Sequence, residues 1–216
     1  MTRDGQWRRR RLADARLYLC CDRTAGGGDL AGFLDAVLPA GVDIVQLRDK
    51  HALEDDLFEA GPIFRAAALR HGALFVLNDE PLFAADLDAD GVHLGQDDAP
   101  VREGRRAVGA DRLVGLSTHA VEEIDAALDS DCDYFAVGPV WATPTKEGRP
   151  GIGLDPVRHA AAVADRPWFV TGDMRVETIP EVRAAGGGRF VVVRAITGAD
   201  DPADAVRAIR AAVRST

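Results

Sequence analysis

The segment from Thr143 to Gly153 carries residue types that suit an anionic substrate. Two hydroxyls and an ammonium lie close together, at Thr143, Thr145 and Lys146, and donors of this kind hold phosphate oxygens. Prolines and glycines in the same segment exclude a regular helix or strand, so we expect a long loop. The segment therefore predicts either a lid that closes over a phosphate or an ordinary solvated turn.

Polar residues also follow the apolar runs that precede this loop in the chain. They are Gln46, Arg48, Asp49 and Lys50, then Asn78 and Asp79, then Asp98, and then Ser117, Thr118 and His119. Alternation of side chains places Gln46, Arg48 and Lys50 on one face. Carboxylates at Asp79 and Asp98, beside these cations, are either structural ion pairs or ligands of a magnesium ion bridged to a diphosphate. We favour the magnesium site.

Two histidines near these residues have titration ranges suited to acid–base chemistry. His93 lies in an apolar run, where a hydrogen-bonded core histidine is an equally good interpretation. His119 precedes Glu122 and Glu123 and resembles a residue at the start of a helix. Neither pattern supports a catalytic role.

The elements that must position these side chains alternate regularly. Short apolar runs predict eight strands: Leu17 to Cys21, Ile44 to Leu47, Leu74 to Leu77, Gly91 to Leu94, Leu113 to Leu116, Tyr134 to Val137, Trp168 to Thr171 and Phe190 to Val193. Segments with helical spacing separate them. This order predicts an α/β fold, a single (β/α)8 TIM barrel whose functional residues lie at the carboxyl ends of the strands. The alternative is an open doubly wound sheet, but Gly26 to Gly28 lack the spacing of a dinucleotide fingerprint.

Length and charge narrow the class of protein. With 216 residues and 47% hydrophobic residues, the chain suits one large domain. The formal net charge of -9 disfavours a nucleic-acid partner, so any phosphate site must concentrate positive charge locally. Three cysteines without metal-ligand spacing predict buried thiols in a reducing compartment. No apolar run reaches membrane-spanning length, and we expect a cytoplasmic protein, with homo-oligomer formation left open.

The amino terminus differs from the remainder of the chain. A run of arginines from Arg8 to Arg11 is followed by no apolar secretory segment. We interpret residues 1–15 as a flexible, solvated basic extension. Residues 16–216 are then the barrel domain.

Together these segments make the sequence resemble the thiamine phosphate synthase family. The matching motifs are Gln46 to Lys50, Asn78 and Asp79, Asp90 to Asp98, Ser117 to His119, Val137 to Val140, and Thr143 to Lys146. The resemblance implies a TIM-barrel transferase of thiamine biosynthesis. Such an enzyme joins hydroxymethylpyrimidine diphosphate to thiazole phosphate and releases diphosphate by a dissociative, magnesium-assisted substitution.

Site residues follow from the same resemblance, position by position. The pyrimidine diphosphate would contact Gln46, Leu47, Arg48, Asp49, Lys50, Asn78, Ser117 and Lys146, of which Arg48, Lys50, Ser117 and Lys146 would be catalytic. The thiazole phosphate would contact Thr143, Thr145, Gly172, Asp173, Val193 and Arg194. Asp79 and Asp98 would hold Mg²⁺.

Two positions depart from the family's pattern. Asp173 stands where a second glycine is usual, and Arg194 stands where a serine is usual. A carboxylate beside a phosphate is unfavourable, whereas an arginine binds phosphate well. We hypothesise that Arg194 supplies the phosphate charge and that Asp173 either orients Arg194 or turns away.

Three other functions remain open at this point. A related barrel could act as a tautomerase on thiazole phosphate, or bind thiamine phosphates as a non-catalytic regulator. An isomerase of sugar phosphates is also compatible with a phosphate-binding barrel. The retained charges at Lys50, Asp79, Asp98 and Lys146 favour the synthase over these alternatives.

Overall fold

The computed structural model describes residues 3–143 and 150–214, and its centre is a closed barrel of parallel strands. In chain order the strands are β1 (Leu17–Cys21), β2 (Ile44–Leu47), β3 (Leu74–Asn78), β4 (Gly91–Leu94), β5 (Leu113–Thr118), β6 (Tyr134–Val137), β7 (Trp168–Val170) and β8 (Phe190–Val192). Each strand pairs with the next, and β8 pairs with β1. The predicted TIM barrel is confirmed and the open sheet is excluded.

Helices connect the strands and surround the barrel. The described helices are α1 (Gly5–Asp14), α2 (Leu30–Gly41), α3 (Glu54–His71), α4 (Pro81–Asp86), α5 (Val101–Val108), α6 (Val121–Leu128), α7 (Asp155–Val163), α8 (Ile179–Ala184), α9 (Arg194–Thr197) and α10 (Pro202–Arg214). The strand predictions agree with the structure to within two residues at every boundary. Short apolar runs were sufficient for this because strands covered on both faces are apolar along nearly their whole length.

The core has two layers, one on each side of the strands. Outward-facing residues such as Leu17, Leu19 and Phe75 pack against the helices, whereas Tyr18, Tyr134 and other inward-facing residues fill the barrel. The inner layer is a packed core, so the polar cavity lies above it, at the carboxyl ends of the strands.

Helix α1 corrects the interpretation of the amino terminus. Residues 5–14 are helical, and the Asp4 side chain accepts a hydrogen bond from the Trp7 backbone at 2.7 Å. Arg8 and Leu12 lie one helical turn apart and are buried. The prediction of a solvated, flexible extension is therefore wrong for the described residues. It failed because Arg8 has a buried partner, Asp90, that lies far away in sequence.

The three cysteines are free thiols and are buried, as predicted. No helix within the described ranges combines the length and apolar character needed to cross a bilayer.

Candidate functional site

A cavity of about 800 Å³ opens at the carboxyl ends of the strands. Nearly all of the described residues that were predicted for the site line it: Gln46, Arg48, Asp49, Lys50, Asn78, Asp79, Asp98, Ser117, Thr143, Gly172, Asp173, Val193 and Arg194. Thr145 and Lys146 lie outside the described residues. The topology explains the convergence, because parallel strands bring all their carboxyl ends to one face.

Leu47 is the described residue that the structure does not bring to this cavity. Its side chain is fully buried in the layer between strands and helices. Alternation along β2 sends Gln46 inwards and Leu47 outwards. The Leu47 side chain therefore does not line the cavity, and the substrate contact of Leu47 stays a prediction for its backbone.

Gln46 and Asn78 form a pair across β2 and β3. The Gln46 amide donates to the Asn78 side-chain oxygen at 3.2 Å. This contact leaves the Asn78 amide nitrogen to donate elsewhere, towards the cavity that both residues line. Two amides are thus fixed as one polar surface beneath Arg48.

The Arg48 and Lys50 cations follow the end of β2. The Arg48 backbone donates to the Cys21 carbonyl at 2.9 Å, which ties the segment after β2 to β1. Asp49, between them, contacts Arg23 at 3.2 Å. Because Asp49 pairs with Arg23, the positive charges of Arg48 and Lys50 remain available to a ligand in the cavity.

Asp79 and Asp98 bring two carboxylates together after β3 and β4. The pKa of Asp79 is raised to about 7, first by burial and then by a hydrogen bond and charge from Asp98, whereas Lys50 and Arg48 oppose the shift. Asp98 also accepts a hydrogen bond from the Gly95 backbone at 2.6 Å. Within residues 3–143 and 150–214, neither carboxylate forms an ion pair with a Lys or Arg side chain.

This carboxylate pair fits a hard divalent cation. Two oxygen ligands that repel each other are stabilised when such a cation lies between them. No third His, Cys, Asp or Glu joins them in the described part of the chain. A magnesium ion here would take its remaining ligands from water and substrate oxygens, which is its usual preference.

Ser117 is part of a hydrogen-bond network and is not an isolated polar residue. Its hydroxyl lies 3.0 Å from His93 Nε2, and its carbonyl accepts from the Gln96 side chain at 2.6 Å. His119, in contrast, contacts Glu123 through its backbone nitrogen at 2.7 Å and its Nδ1 at 3.0 Å. His119 therefore shares a side-chain contact with α6, as expected for a residue at the helix entrance.

The loop after β7 explains the first departure from the family's pattern. Gly172 has φ +104°, and a Cβ there would lie 2.4 Å from the Val140 backbone nitrogen. Asp173 follows with φ 53°, a conformation that Asp and Asn tolerate better than most residues. Its carboxylate accepts from Arg175 Nε at 3.1 Å, so Asp173 is paired with Arg175.

Arg194 lies at the amino end of α9 with an exposed side chain that lines the cavity. Of the two hypotheses for Asp173, the contact with Arg175 favours a carboxylate that turns away from Arg194. The prediction from sequence did not include Arg175, although a basic residue this close after β7 was visible.

Sequence reasoning also missed residues that line the cavity from below. Tyr18, Cys20 and Met174 belong to this group. Tyr18 was counted as a core strand residue, because nothing in an apolar run distinguishes a packed tyrosine from one whose hydroxyl lies beneath a cavity.

Comparison with known proteins gives consistent results. A family model described as thiamine monophosphate synthase matches residues 17–196. The thiamine-phosphate synthase of Acidothermus cellulolyticus is 54% identical, over 90% of this chain and 92% of that protein. The thiamine-phosphate synthase of Mycobacterium tuberculosis is 47% identical, over 94% and 96% respectively.

Solved structures are similar over nearly the whole chain. A thiamine phosphate pyrophosphorylase from Pyrococcus furiosus superposes with a TM-score of 0.83 at 27% identity, covering 95% of this chain and 96% of that one. A 3-hexulose-6-phosphate synthase superposes with a TM-score of 0.60 at 22% identity, covering 91% and 99%. The second likeness concerns the fold alone.

Proposed function

The chain belongs to the thiamine monophosphate synthase family, and from this premise we propose that it joins hydroxymethylpyrimidine diphosphate to thiazole phosphate. The products are thiamine phosphate and diphosphate, so the protein is a transferase of thiamine biosynthesis. The observation that carries the proposal is the convergence of Arg48, Lys50 and the Asp79–Asp98 pair on one cavity. That arrangement suits a substrate whose leaving group is a polyanion.

The reaction begins when the carbon–oxygen bond between the pyrimidine methylene and the diphosphate breaks. The electron pair leaves with the diphosphate, whose growing charge faces Arg48 and Lys50. Preformed cations stabilise that charge without rearranging during the step. Lys146 is predicted to assist from the loop after β6, outside the described residues.

Asp79 and Asp98 would hold Mg²⁺, which when bound supplies further neutralisation of the diphosphate charge. The protein itself supplies two carboxylates held in contact by the ends of β3 and β4. Burial, and then the contact with Asp98, raise the pKa of Asp79, and both costs of a charged carboxylate are relieved by a bound cation at this position.

The remaining residues position the two substrates. Gln46 and Asn78 offer amide groups to the pyrimidine diphosphate, and Ser117 offers a hydroxyl. The aminopyrimidine stabilises the methylene cation until the thiazole nitrogen donates its lone pair and forms the new carbon–nitrogen bond. Water must be excluded meanwhile, and holding both reactants in one cavity favours capture by the thiazole.

The thiazole phosphate is assigned to the cavity wall between β6 and β8. Thr143, the Gly172–Asp173 backbone and Val193 line this wall, and Arg194 adds a cation. The absence of a side chain at Gly172 allows this loop to pack closely against the Val140 backbone, which holds this wall of the cavity in place. A cytoplasmic location is part of the proposal and rests on the free, buried thiols.

The decisive experiment measures diphosphate release from hydroxymethylpyrimidine diphosphate and thiazole phosphate, with and without Mg²⁺, and identifies the organic product. We expect thiamine phosphate to form in a magnesium-dependent reaction. Binding of both substrates without product would instead favour a tautomerase or a regulator. Binding of the pyrimidine alone would mean that the second substrate differs.

A further inference from the structure

A chain of hydrogen bonds crosses the barrel interior and ends at the cavity. Tyr18 Oη lies 3.0 Å from Tyr134 Oη, which lies 3.2 Å from His93 Nδ1. His93 Nε2 lies 3.0 Å from the Ser117 hydroxyl. Four strands, β1, β6, β4 and β5, each contribute one residue to this chain.

Packing fixes the aromatic members of the chain. Phe169 meets Tyr18 and Tyr134 edge-on, with ring centroids 5.4 and 5.7 Å apart, and Tyr134 stacks on His93 at 5.6 Å. A Cβ at Gly115 would lie 2.2 Å from a carbon of the Tyr134 ring. The ring positions are therefore set by contacts that do not depend on the hydrogen bonds.

Both phenols keep their protons. Burial is the largest cause that raises the pKa of Tyr18 and of Tyr134 above the ordinary tyrosine value. Each hydroxyl therefore has one proton to donate and lone pairs to accept. The direction of the hydrogen bonds can then be assigned by counting protons.

Tyr18 sets that direction. Within the described part of the chain, the hydrogen bond of its hydroxyl is the one to Tyr134. A buried hydroxyl that fails to donate is costly, so Tyr18 donates to Tyr134. Tyr134 must then donate to Nδ1 of His93, which places the histidine proton on Nε2.

With this tautomer, His93 donates to the Ser117 oxygen. The Ser117 proton is then left for an acceptor in the cavity. The opposite tautomer, with the proton on Nδ1, would reverse every bond and strand the Tyr18 proton. With that tautomer the Ser117 hydroxyl would donate to His93 Nε2. The lone pairs of the Ser117 oxygen would then face an anionic substrate. A doubly protonated ring would likewise leave one of the two phenol protons without an acceptor in this chain of hydrogen bonds.

We propose that Tyr18, Tyr134 and His93 are positioning residues that aim the Ser117 hydroxyl proton at an oxygen of the diphosphate leaving group. The inference rests on the proposed function for the identity of that ligand. The direction of the hydrogen bonds depends only on residues of the protein. This inference and the proposed function can therefore be disproved separately.

The direct test is the tautomer of His93 in the substrate-free protein. Long-range ¹H–¹⁵N correlation spectra of ¹⁵N-histidine-labelled protein distinguish a proton on Nε2 from one on Nδ1, and the His93→Asn variant assigns the signal. We expect the Nε2–H form, and a shift towards a mixture in Tyr134→Phe. A dominant Nδ1–H form in the unmodified protein would overturn the proposal, whether or not the enzyme is active.

A double-mutant cycle tests the effect on turnover. Tyr134→Phe keeps the ring and removes the donor, and we expect kcat to fall about tenfold or more, as for a lost hydrogen bond to a charged group. In a Ser117→Ala background the same substitution should have little further effect, since its action passes through Ser117. An undiminished loss in that background would mean that Tyr134 acts by another route.

Tyr18→Phe serves as the graded control. It leaves the Tyr134 donor in place and removes only the group that fixes its direction. We expect a smaller loss of kcat than for Tyr134→Phe, with KM for thiazole phosphate unchanged. A larger loss for Tyr18→Phe would contradict the proposed order of donors.

Discussion

At the amino end of the barrel a buried carboxylate contacts three arginines, whereas at the carboxyl end two carboxylates contact each other. Asp90 is fully buried and lies 2.6 Å from Arg3, 3.0 Å from Arg8 and 3.4 Å from Arg65. Burial, and then a hydrogen bond and charge from Asp98, raise the pKa of Asp79. Carboxylates are thus paired with cations at the amino end of the barrel and with each other at the carboxyl end.

This difference predicts that the charges at the amino end contribute mainly to stability, whereas the charges in the cavity contribute mainly to binding. Charges at the amino end are neutralised within the protein, and breaking one pair leaves the others buried and unpaired. Charges in the cavity are incompletely neutralised within the described part of the protein, so they remain available to the proposed substrate. Substitutions at the two ends should therefore affect different measurements.

The largest effect is expected at Asp90. Asp90→Asn leaves Arg3 and Arg8 without their carboxylate partner and Arg65 with Asp88 alone, and the free energy of unfolding should fall by about 3–5 kcal/mol. The melting temperature should fall by about 10 °C, measured by calorimetry. Turnover of the remaining folded protein, at a temperature below the transition, should change little.

Asp88→Asn provides the matched control for Asp90. Asp88 contacts the same Arg65 at 2.6 Å, but its side chain is 58% exposed. Its φ of 50° suits Asn as well as Asp. We expect a much smaller loss of stability than at Asp90, and similar losses at both positions would contradict the importance of burial.

Lys50 tests the cavity end. Lys50→Gln removes a cation that faces the leaving group, so kcat should fall about 100- to 1,000-fold, as for loss of a preformed stabilising group. The melting temperature should remain close to that of the unmodified protein, because no described ion pair is broken. Steady-state kinetics and calorimetry on the same preparation check both statements.

Arg102→Gln is the charge-matched control for Lys50. Arg102 is 80% exposed on α5, outside the cavity. It should leave kcat unchanged. If Arg102→Gln and Lys50→Gln reduce kcat equally, the effect comes from net charge and not from the position of Lys50.

Arg194 should have a moderate and selective effect. Arg194→Ser restores the family's usual residue, removes a candidate phosphate partner, and should raise KM for thiazole phosphate about 10- to 100-fold. KM for the pyrimidine diphosphate should change far less. Equal changes for both substrates would contradict the assignment of Arg194 to the thiazole phosphate.

The smallest effect is expected at Arg9. Its guanidinium contacts Asp133 at 3.0 Å, but the Arg9 side chain is 46% exposed. Arg9→Ala should lower the free energy of unfolding by about 1 kcal/mol or less, because exposed pairs contribute little. A loss as large as that of Asp90→Asn would remove the distinction between buried and exposed pairs at this end.

The sequence was sufficient for the barrel and for most of the cavity. Apolar runs locate the strands, and the rule that function lies at their carboxyl ends brings Arg48, Lys50, Asp79 and Asp98 together. These inferences need only local patterns and one topological rule.

Contacts between distant residues could not be found in the same way. The burial of Arg8 depends on Asp90, which no local pattern connects to it. The contact between Tyr18 and Tyr134 joins two apolar runs that each look like ordinary core. Such pairings appear only when the barrel closes.

Helix α1 has a consequence for how the chain folds. Arg3 contacts the carbonyls of Ala68 and Ala73, whereas Arg9 contacts the Ala110 carbonyl and Asp133. Contacts of Arg3 and Arg9 thus connect the segment before β3 with the segments before β5 and β6. Helix α1 can complete these contacts only after the chain has been synthesised as far as Asp133, directly before β6.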